Sequence, residues 1–136
     1  MRETTSAPRR WDWVLGLAAL LIVPAVAVAR ASTLWGGRWL WIALASVSLF
    51  TFLIYAADKS RAKTGDWRIA EIVLHVLALI GGWPGAFVAQ RWLRHKNAKV
   101  SFQIVFWLTV ALHEWVALDY VLGWPMLRAL VRAVGV

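Results

Sequence analysis

The sequence predicts an all-α integral membrane protein that forms a single polytopic domain over residues 1–136. Of these residues, 61% are hydrophobic and the mean hydropathy is +0.63, whereas soluble domains are roughly 45–50% apolar. Apolar runs of about 20 residues, the length that spans a bilayer, recur along the chain. A glycine-rich stretch, GGWPG (81–85), interrupts one of them. We therefore predict three full transmembrane helices and a re-entrant or kinked helical hairpin, with four transmembrane helices as the alternative.

Four apolar stretches account for the predicted helices, and the third is the interrupted one. They cover about residues 13–29, 39–57, 69–92 and 100–122. Many of the eleven tryptophans lie near the ends of these stretches, where indole rings anchor helices at the headgroup level of a membrane. The polar stretch from Ser60 to Asp66 is predicted to be a loop, and Asp66 is predicted to cap the third helical stretch.

The distribution of cations distinguishes the two topologies. If residues 69–92 cross the membrane, lysine and arginine divide nine against six between its two sides, and if they turn back, eleven against four. The positive-inside rule favours the more asymmetric division, and thus the hairpin. Non-helical backbone at membrane depth must be buried in protein or line a wet cavity, so the other helices are expected to cover the turn.

The glycines and the proline that interrupt the third apolar stretch indicate an unusual backbone conformation there. Glycine permits a positive φ and the close approach of a neighbouring helix, and proline lacks a backbone N–H donor. Gly81, Gly82, Pro84 and Gly85 are therefore predicted to form the turn. Their spacing differs from that of nucleotide-binding loops.

Two ionisable side chains inside the third stretch are candidates for catalysis. Glu71 and His75 are spaced i, i+4 on one helical face, and an ionisable group within a membrane segment is a functional candidate. The two form either a helix-entry pair or a buried acid–base pair. The chain has no cysteine, which excludes disulfides, thiolate catalysis and cysteine-based metal sites. We predict no metal site and no cofactor.

A cluster of basic residues follows the interrupted stretch. Arginine forks match phosphate oxygens, and Arg91, Arg94 and His95 are predicted to fall on one helical face. Asp58, at the end of a helix, opposes the helix dipole and is expected to have a cationic partner. A phospholipid headgroup is the anion expected at this depth. The residues predicted to bind it are Asp58, Lys59, Arg68, Arg91, Arg94, His95, Lys96, Lys99 and Ser101.

Four motifs occur in order between Tyr55 and Trp107. They are Tyr55-x-x-Asp58-Lys59, Trp67-Arg68-Ile69-x-Glu71-x-x-Leu74-His75, Gly81-Gly82-Trp83-Pro84-Gly85-Ala86 and Arg94-His95-Lys96-x-x-Lys99-x-Ser101-Phe102. This set resembles the bacterial membrane family called domain of unknown function 1294. The chain departs from the family at Ala70, where proline is common, so the fixed φ of a first-turn proline is lost. The resemblance implies membrane topology and a shared motif set, without an established activity.

Relatives in that family are often fused behind a cold-shock domain, a small nucleic-acid-binding barrel. The first ten residues of this chain are expected to be too short for such a domain. Nucleic acid is therefore implied as a partner only by analogy with the fused relatives.

Together these observations predict a small multi-pass protein of the bacterial inner membrane. It is expected to bind an anionic lipid headgroup or a phosphate-bearing ligand at its cytoplasmic face, and its net charge of +8 favours anionic membrane lipids as partners. Two alternatives stay open. One is an intramembrane lipid-modifying enzyme that uses Glu71 and His75, and the other is a structural subunit of a membrane complex with a protein partner.

Overall fold

The computed structural model describes residues 11–96 and 99–135, and the regular structure in these two ranges is helical, without strands. Four helical stretches are long and apolar enough to cross a membrane, and they are Asp12–Leu34, Trp39–Thr64, Glu71–Trp92 and Val100–Val121. The all-α class predicted from the sequence is confirmed, and the alternative with four spans fits these lengths. The first ten residues, to which the cold-shock comparison refers, lie outside the described ranges.

The first two helices are long, and each is followed by a glycine. Helix α1 (Asp12–Trp35) ends at Gly36 and helix α2 (Trp39–Thr64) ends at Gly65, both with a left-handed backbone. Glycine adopts this conformation at no steric cost and commonly ends a helix. The prediction of a loop from Ser60 onward was wrong, because polar side chains on the last turn of α2 do not stop it before Gly65.

Helix α3 (Glu71–Leu77) begins later than the predicted cap. Asp66 accepts a hydrogen bond from the Thr64 hydroxyl at 2.7 Å, and Ala70 is the residue that precedes the helix, with φ −62° and ψ 136°. The prediction of Asp66 as N-cap was therefore wrong, since residues 66–70 are non-helical. The φ of Ala70 is the one that proline would impose, so alanine keeps the geometry of the family's usual residue.

The third apolar stretch is interrupted at the predicted glycines. Helix α3 leads into a π-helical turn (Ala78–Gly82), within which Gly81 has a φ of 113°, and helix α4 (Trp83–Trp92) follows. Pro84 lies in the first turn of α4, where a missing N–H costs no helical hydrogen bond. We call residues 71–92 the broken segment.

Both ends of the broken segment lie against the same end of α2. Just before it, the Ile69 N–H donates to Asp58 at 3.0 Å, and just after it, the Leu93 carbonyl accepts from Lys59. Between these points, a Cβ on Gly81 would lie 3.1 Å from Leu44. Leu44 is roughly 21 Å from Asp58 at 1.5 Å per residue. The segment thus reaches along α2 as far as Leu44 and comes back to Lys59.

Glycine lets α4 touch α2 directly. A Cβ on Gly85 would lie 1.8 Å from the Ser48 carbonyl oxygen, and one on Gly82 would lie 2.0 Å from the Thr51 hydroxyl. No larger side chain fits at these distances. The two predicted roles are therefore both present, a positive φ at Gly81 and close approach at Gly82 and Gly85.

Helix α5 (Val100–Val121) runs in the same direction as α1. Trp13, near the start of α1, and Trp107 of α5 both contact Phe87 of α4, with ring centroids 6.5 Å and 6.1 Å away. Arg30, near the other end of α1, donates to the carbonyl of Val121. The two helices are therefore in register over most of their length.

The molecule has two unlike ends. The basic end comprises residues 58–71, 91–96 and 99–101, and the opposite end contains the α1–α2 turn, the end of α5 and helix α6 (Pro125–Ala133). At the start of α6, the N–H groups of Met126 and Leu127 donate to the buried carboxylate of Asp119 at 2.8 Å and 3.0 Å. This carboxylate caps α6.

Candidate functional site

Asp58 is the centre of the polar contacts at the basic end. Its side chain is fully buried. One carboxylate oxygen accepts the Ile69 N–H at 3.0 Å, and the other lies 2.6 Å from His95 Nε2 and 3.9 Å from Lys96 Nζ. A buried carboxylate is stable only when it is paired and hydrogen-bonded, and Asp58 meets both conditions.

Glu71 holds the two lysines of the basic loop. Lys96 donates to one oxygen at 2.9 Å, and Lys99 contacts both oxygens at 2.8 Å. Glu71 also lies in the first turn of α3, where the helix dipole favours an anion. Its carboxylate therefore ties the start of α3 to the segment that leads into α5.

His75 lies one turn beyond Glu71 but is not hydrogen-bonded to it. Its ring stacks on Phe102 with centroids 4.3 Å apart. Its Nδ1 is buried and has no hydrogen-bond partner within residues 11–96 and 99–135. The predicted acid–base pair thus has no direct contact through which a proton could move, since lysines occupy the Glu71 oxygens.

A chain of neutral polar groups extends from the basic end into the bundle. The Gln103 amide donates to Gln90 at 2.7 Å and to the Lys96 carbonyl at 3.0 Å, and Gln90 donates to the Tyr55 hydroxyl at 3.4 Å. The role of Gln103 was not predicted from the sequence. The sequence feature that could have indicated this role is an amide side chain one turn into a predicted membrane span.

The predicted common helical face of Arg91, Arg94 and His95 does not exist. Helix α4 ends at Trp92, and Arg94 has a φ of 50°. The chain leaves the helix there because Lys59 takes the Leu93 carbonyl and His95 turns toward Asp58. The prediction failed because it extended helical spacing past the last residue of α4.

Several of the predicted anion-binding residues stay exposed. Arg68, Arg91, Arg94 and Ser101 are exposed, and no salt bridge in the described ranges involves the three arginines. The Arg91 guanidinium lies 5.2 Å from the centre of the Phe87 ring, an arrangement that leaves its outward N–H groups available. By contrast, Lys59, His95 and Lys96 make internal contacts.

Arg68 and Arg94 each adjoin a residue that contacts the carboxylate of Asp58. Arg68 precedes Ile69, and Arg94 precedes His95, and both of these neighbours bind Asp58. The whole basic end carries a positive excess, because lysine and arginine outnumber aspartate and glutamate eight to three over residues 58–71, 91–96 and 99–101. The buried contacts of Asp58 therefore fix the backbone beside two exposed arginines on a surface of positive charge.

Comparison with known proteins connects this region to a family. Residues 48–102 match the family model described as "Protein of unknown function (DUF1294)". A stretch of 60 residues is 32% identical to "Uncharacterized protein YsdA" of Bacillus subtilis (strain 168), covering 44% of this chain and 67% of that protein. No solved structure matches the chain. The matched residues include every contact that Asp58 and Glu71 make.

Proposed function

The chain belongs to the DUF1294 family, and we propose that it is a multi-pass protein of the bacterial inner membrane that binds a phosphate-bearing anion at its basic end. The headgroup of an anionic phospholipid is the ligand that best suits this depth. Arg68 and Arg94 would contact the phosphate directly. Arg91, Lys99 and Ser101 would surround it.

The observation that carries the proposal is the double contact of Asp58. Its carboxylate holds Ile69 and His95, and each of these residues has an exposed arginine beside it. Asp58 is thus a positioning residue, and its carboxylate lies 2.6 Å from His95 Nε2 and 3.9 Å from Lys96 Nζ. Arginine binds phosphate well because its planar fork matches two oxygens at once.

The charge of the two ends supports a cytoplasmic basic end. The positive-inside rule assigns the side richer in lysine and arginine to the cytoplasm, and that side is residues 58–71, 91–96 and 99–101. The cations of the opposite end within the described ranges are Arg30, Arg38, Arg128 and Arg132.

A re-entrant course for the broken segment supports the same arrangement. If it turns at Gly81, its two ends emerge on one side, in agreement with their contacts to the same end of α2. From Glu71 to Gly82 it would extend about 18 Å at 1.5 Å per residue, roughly half of a 30 Å hydrocarbon core.

Binding is favoured over acid–base catalysis by the state of Glu71. A general base needs an oxygen that is available to the proton it removes, and both oxygens of Glu71 accept from lysine. The enzyme alternative would have to depend on His75 without this partner.

Native mass spectrometry of the detergent-solubilised protein tests the proposal. Phosphatidylglycerol and phosphatidylcholine would compete for the protein. Arg68→Gln and Arg94→Gln should each lower the preference for phosphatidylglycerol about fivefold, since one cation near the surface contributes about 1 kcal/mol. Arg128→Gln, at the opposite end, is the matched control and should have a smaller effect.

Equal losses in all three variants would contradict the site and indicate general electrostatic attraction. Inorganic phosphate added at millimolar concentration distinguishes the source of the anion. Displacement of the lipid by phosphate would favour a soluble phosphate-bearing ligand, whereas retention would favour a lipid headgroup.

A further inference from the structure

A large apolar cavity lies at the opposite end of the molecule from the basic end. Its volume is about 670 Å³, and it lies between α1, α2, α5 and the turn of the broken segment. Volumes of roughly 300–1,000 Å³ are typical of sites that bind small molecules. None of the residues assigned to the anion site lines it.

The cavity exists because the broken segment stops short of the opposite end. Gly81, Trp83 and Pro84 form its floor, so the broken segment contributes no helix beyond that level. Small residues on the three surrounding helices keep the space open, and they include Ala31 of α1, Ala45 of α2 and Ala117 of α5.

The cavity opens sideways between α2 and α5. Four residues line the cavity and are also exposed. They are Leu40 and Trp41 of α2 and Leu112 and Val116 of α5. All four belong to helices long and apolar enough to cross a membrane. The opening therefore runs from the headgroup level at Trp41 toward the hydrocarbon level at Leu112 and Val116.

Polar groups are confined to a few places in the lining. Trp41 and Tyr120 lie toward the ends of their helices, and Trp124 lies in the turn between α5 and α6, where aromatic side chains prefer the headgroup level. Ser48 and His113 lie deeper, and His113 Nδ1 is 2.8 Å from the Thr109 carbonyl of its own helix. The remainder is aliphatic or aromatic, which suits a hydrocarbon chain.

We propose that this cavity binds one acyl chain of a membrane phospholipid from the leaflet opposite the basic end. The chain would enter between α2 and α5 and end at Trp83 and Pro84. A transmembrane helix, about 10 Å wide, is the alternative occupant, and the experiment below distinguishes it from an acyl chain. The lipid's headgroup would stay at the aromatic rim.

Photo-cross-linking in nanodiscs tests the proposal. The probe is a phosphatidylcholine whose acyl chain carries a diazirine at its end. Because its headgroup is zwitterionic, the result does not depend on the anion site. The expected result is cross-linking to the floor, at Leu79, Trp83 or Pro84, with one lipid per protein chain.

Ala117→Phe should lower this cross-linking at least fivefold by filling the cavity. Ala111→Phe is the matched control, because Ala111 is exposed on the same helix and is absent from the cavity lining, and it should cross-link like the parent. Ala45→Phe provides a second blocking variant from α2 if Ala117→Phe does not fold. Equal cross-linking in blocking and control variants, or cross-linking of the floor to a second protein chain, would overturn the proposal.

Discussion

The basic end and the opposite end of this protein are built in different ways. At the basic end, Asp58 and Glu71 each hold several partners at fixed distances. At the opposite end, α1, α2 and α5 surround a cavity lined mostly by apolar side chains.

The residues that match the family model include the contacts of the basic end and only a small part of the cavity lining. Residues 48–102 contain the Asp58 and Glu71 contacts and the turn at Gly81. Most of the cavity wall, from α1, the start of α2 and the end of α5, lies outside that range. The polar contacts of the basic end thus lie within the matched residues, whereas the cavity combines a floor from the matched residues with walls from parts of the chain that the family model does not cover.

Cysteine labelling is the prediction with the largest expected effect, because it tests whether the residues of the basic end lie on one side of the membrane. The chain has no cysteine, so Lys63→Cys, Arg94→Cys and Arg38→Cys each introduce a unique thiol. With a re-entrant broken segment, a membrane-impermeant maleimide should label positions 63 and 94 from one side and position 38 from the other. Labelling of position 94 from the same side as position 38 would instead establish four spans. Positions 63 and 94 would then lie on opposite sides of the membrane.

Asp58→Asn tests how much the buried network at the basic end stabilises the protein, because it removes one charge from that network. We expect the free energy of unfolding to fall by about 3 kcal/mol, since the change weakens the buried contact to His95 and leaves Lys96 with one carboxylate neighbour instead of two. Thermal unfolding in detergent measures the change. Asp66→Asn is the control and should stay within about 0.5 kcal/mol, because Asp66 is exposed. A similar small change in both variants would mean that the buried network contributes little.

Much of this fold could be predicted from the sequence, because the signals were local. Apolar runs of sufficient length predicted the spans, and GGWPG predicted a break with close packing. Gly81 has the expected positive φ, and Gly85 the expected close neighbour. These features depend on the length of a run or on the absence of a side chain, both of which can be read directly.

The partners within the basic cluster could not be predicted in the same way. Arg94 and Lys96 have positive φ values of 50° and 63°, which is uncommon for residues other than glycine. That course turns His95 and Lys96 inward and leaves Arg94 exposed, whereas continued helical spacing would group Arg91, Arg94 and His95. The cavity was also inaccessible to sequence reasoning, because it depends on where α1, α2 and α5 lie relative to Gly81.

Gly85→Ala is the prediction with the smallest expected effect, and it tests whether the tight contact of α4 with α2 is local. The added Cβ would lie 1.8 Å from the Ser48 carbonyl oxygen, so the two helices must separate, at a cost of about 1–3 kcal/mol. Gly16→Ala is the matched control. Gly16 lies within α1, and its Cβ would have nothing within 4 Å, so the better helix propensity of alanine should raise stability by about 1 kcal/mol. Melting temperatures in detergent should therefore shift in opposite directions for the two variants. A shift in the same direction for both would show that the contact between α2 and α4 is as adaptable as the lipid-facing surface of α1.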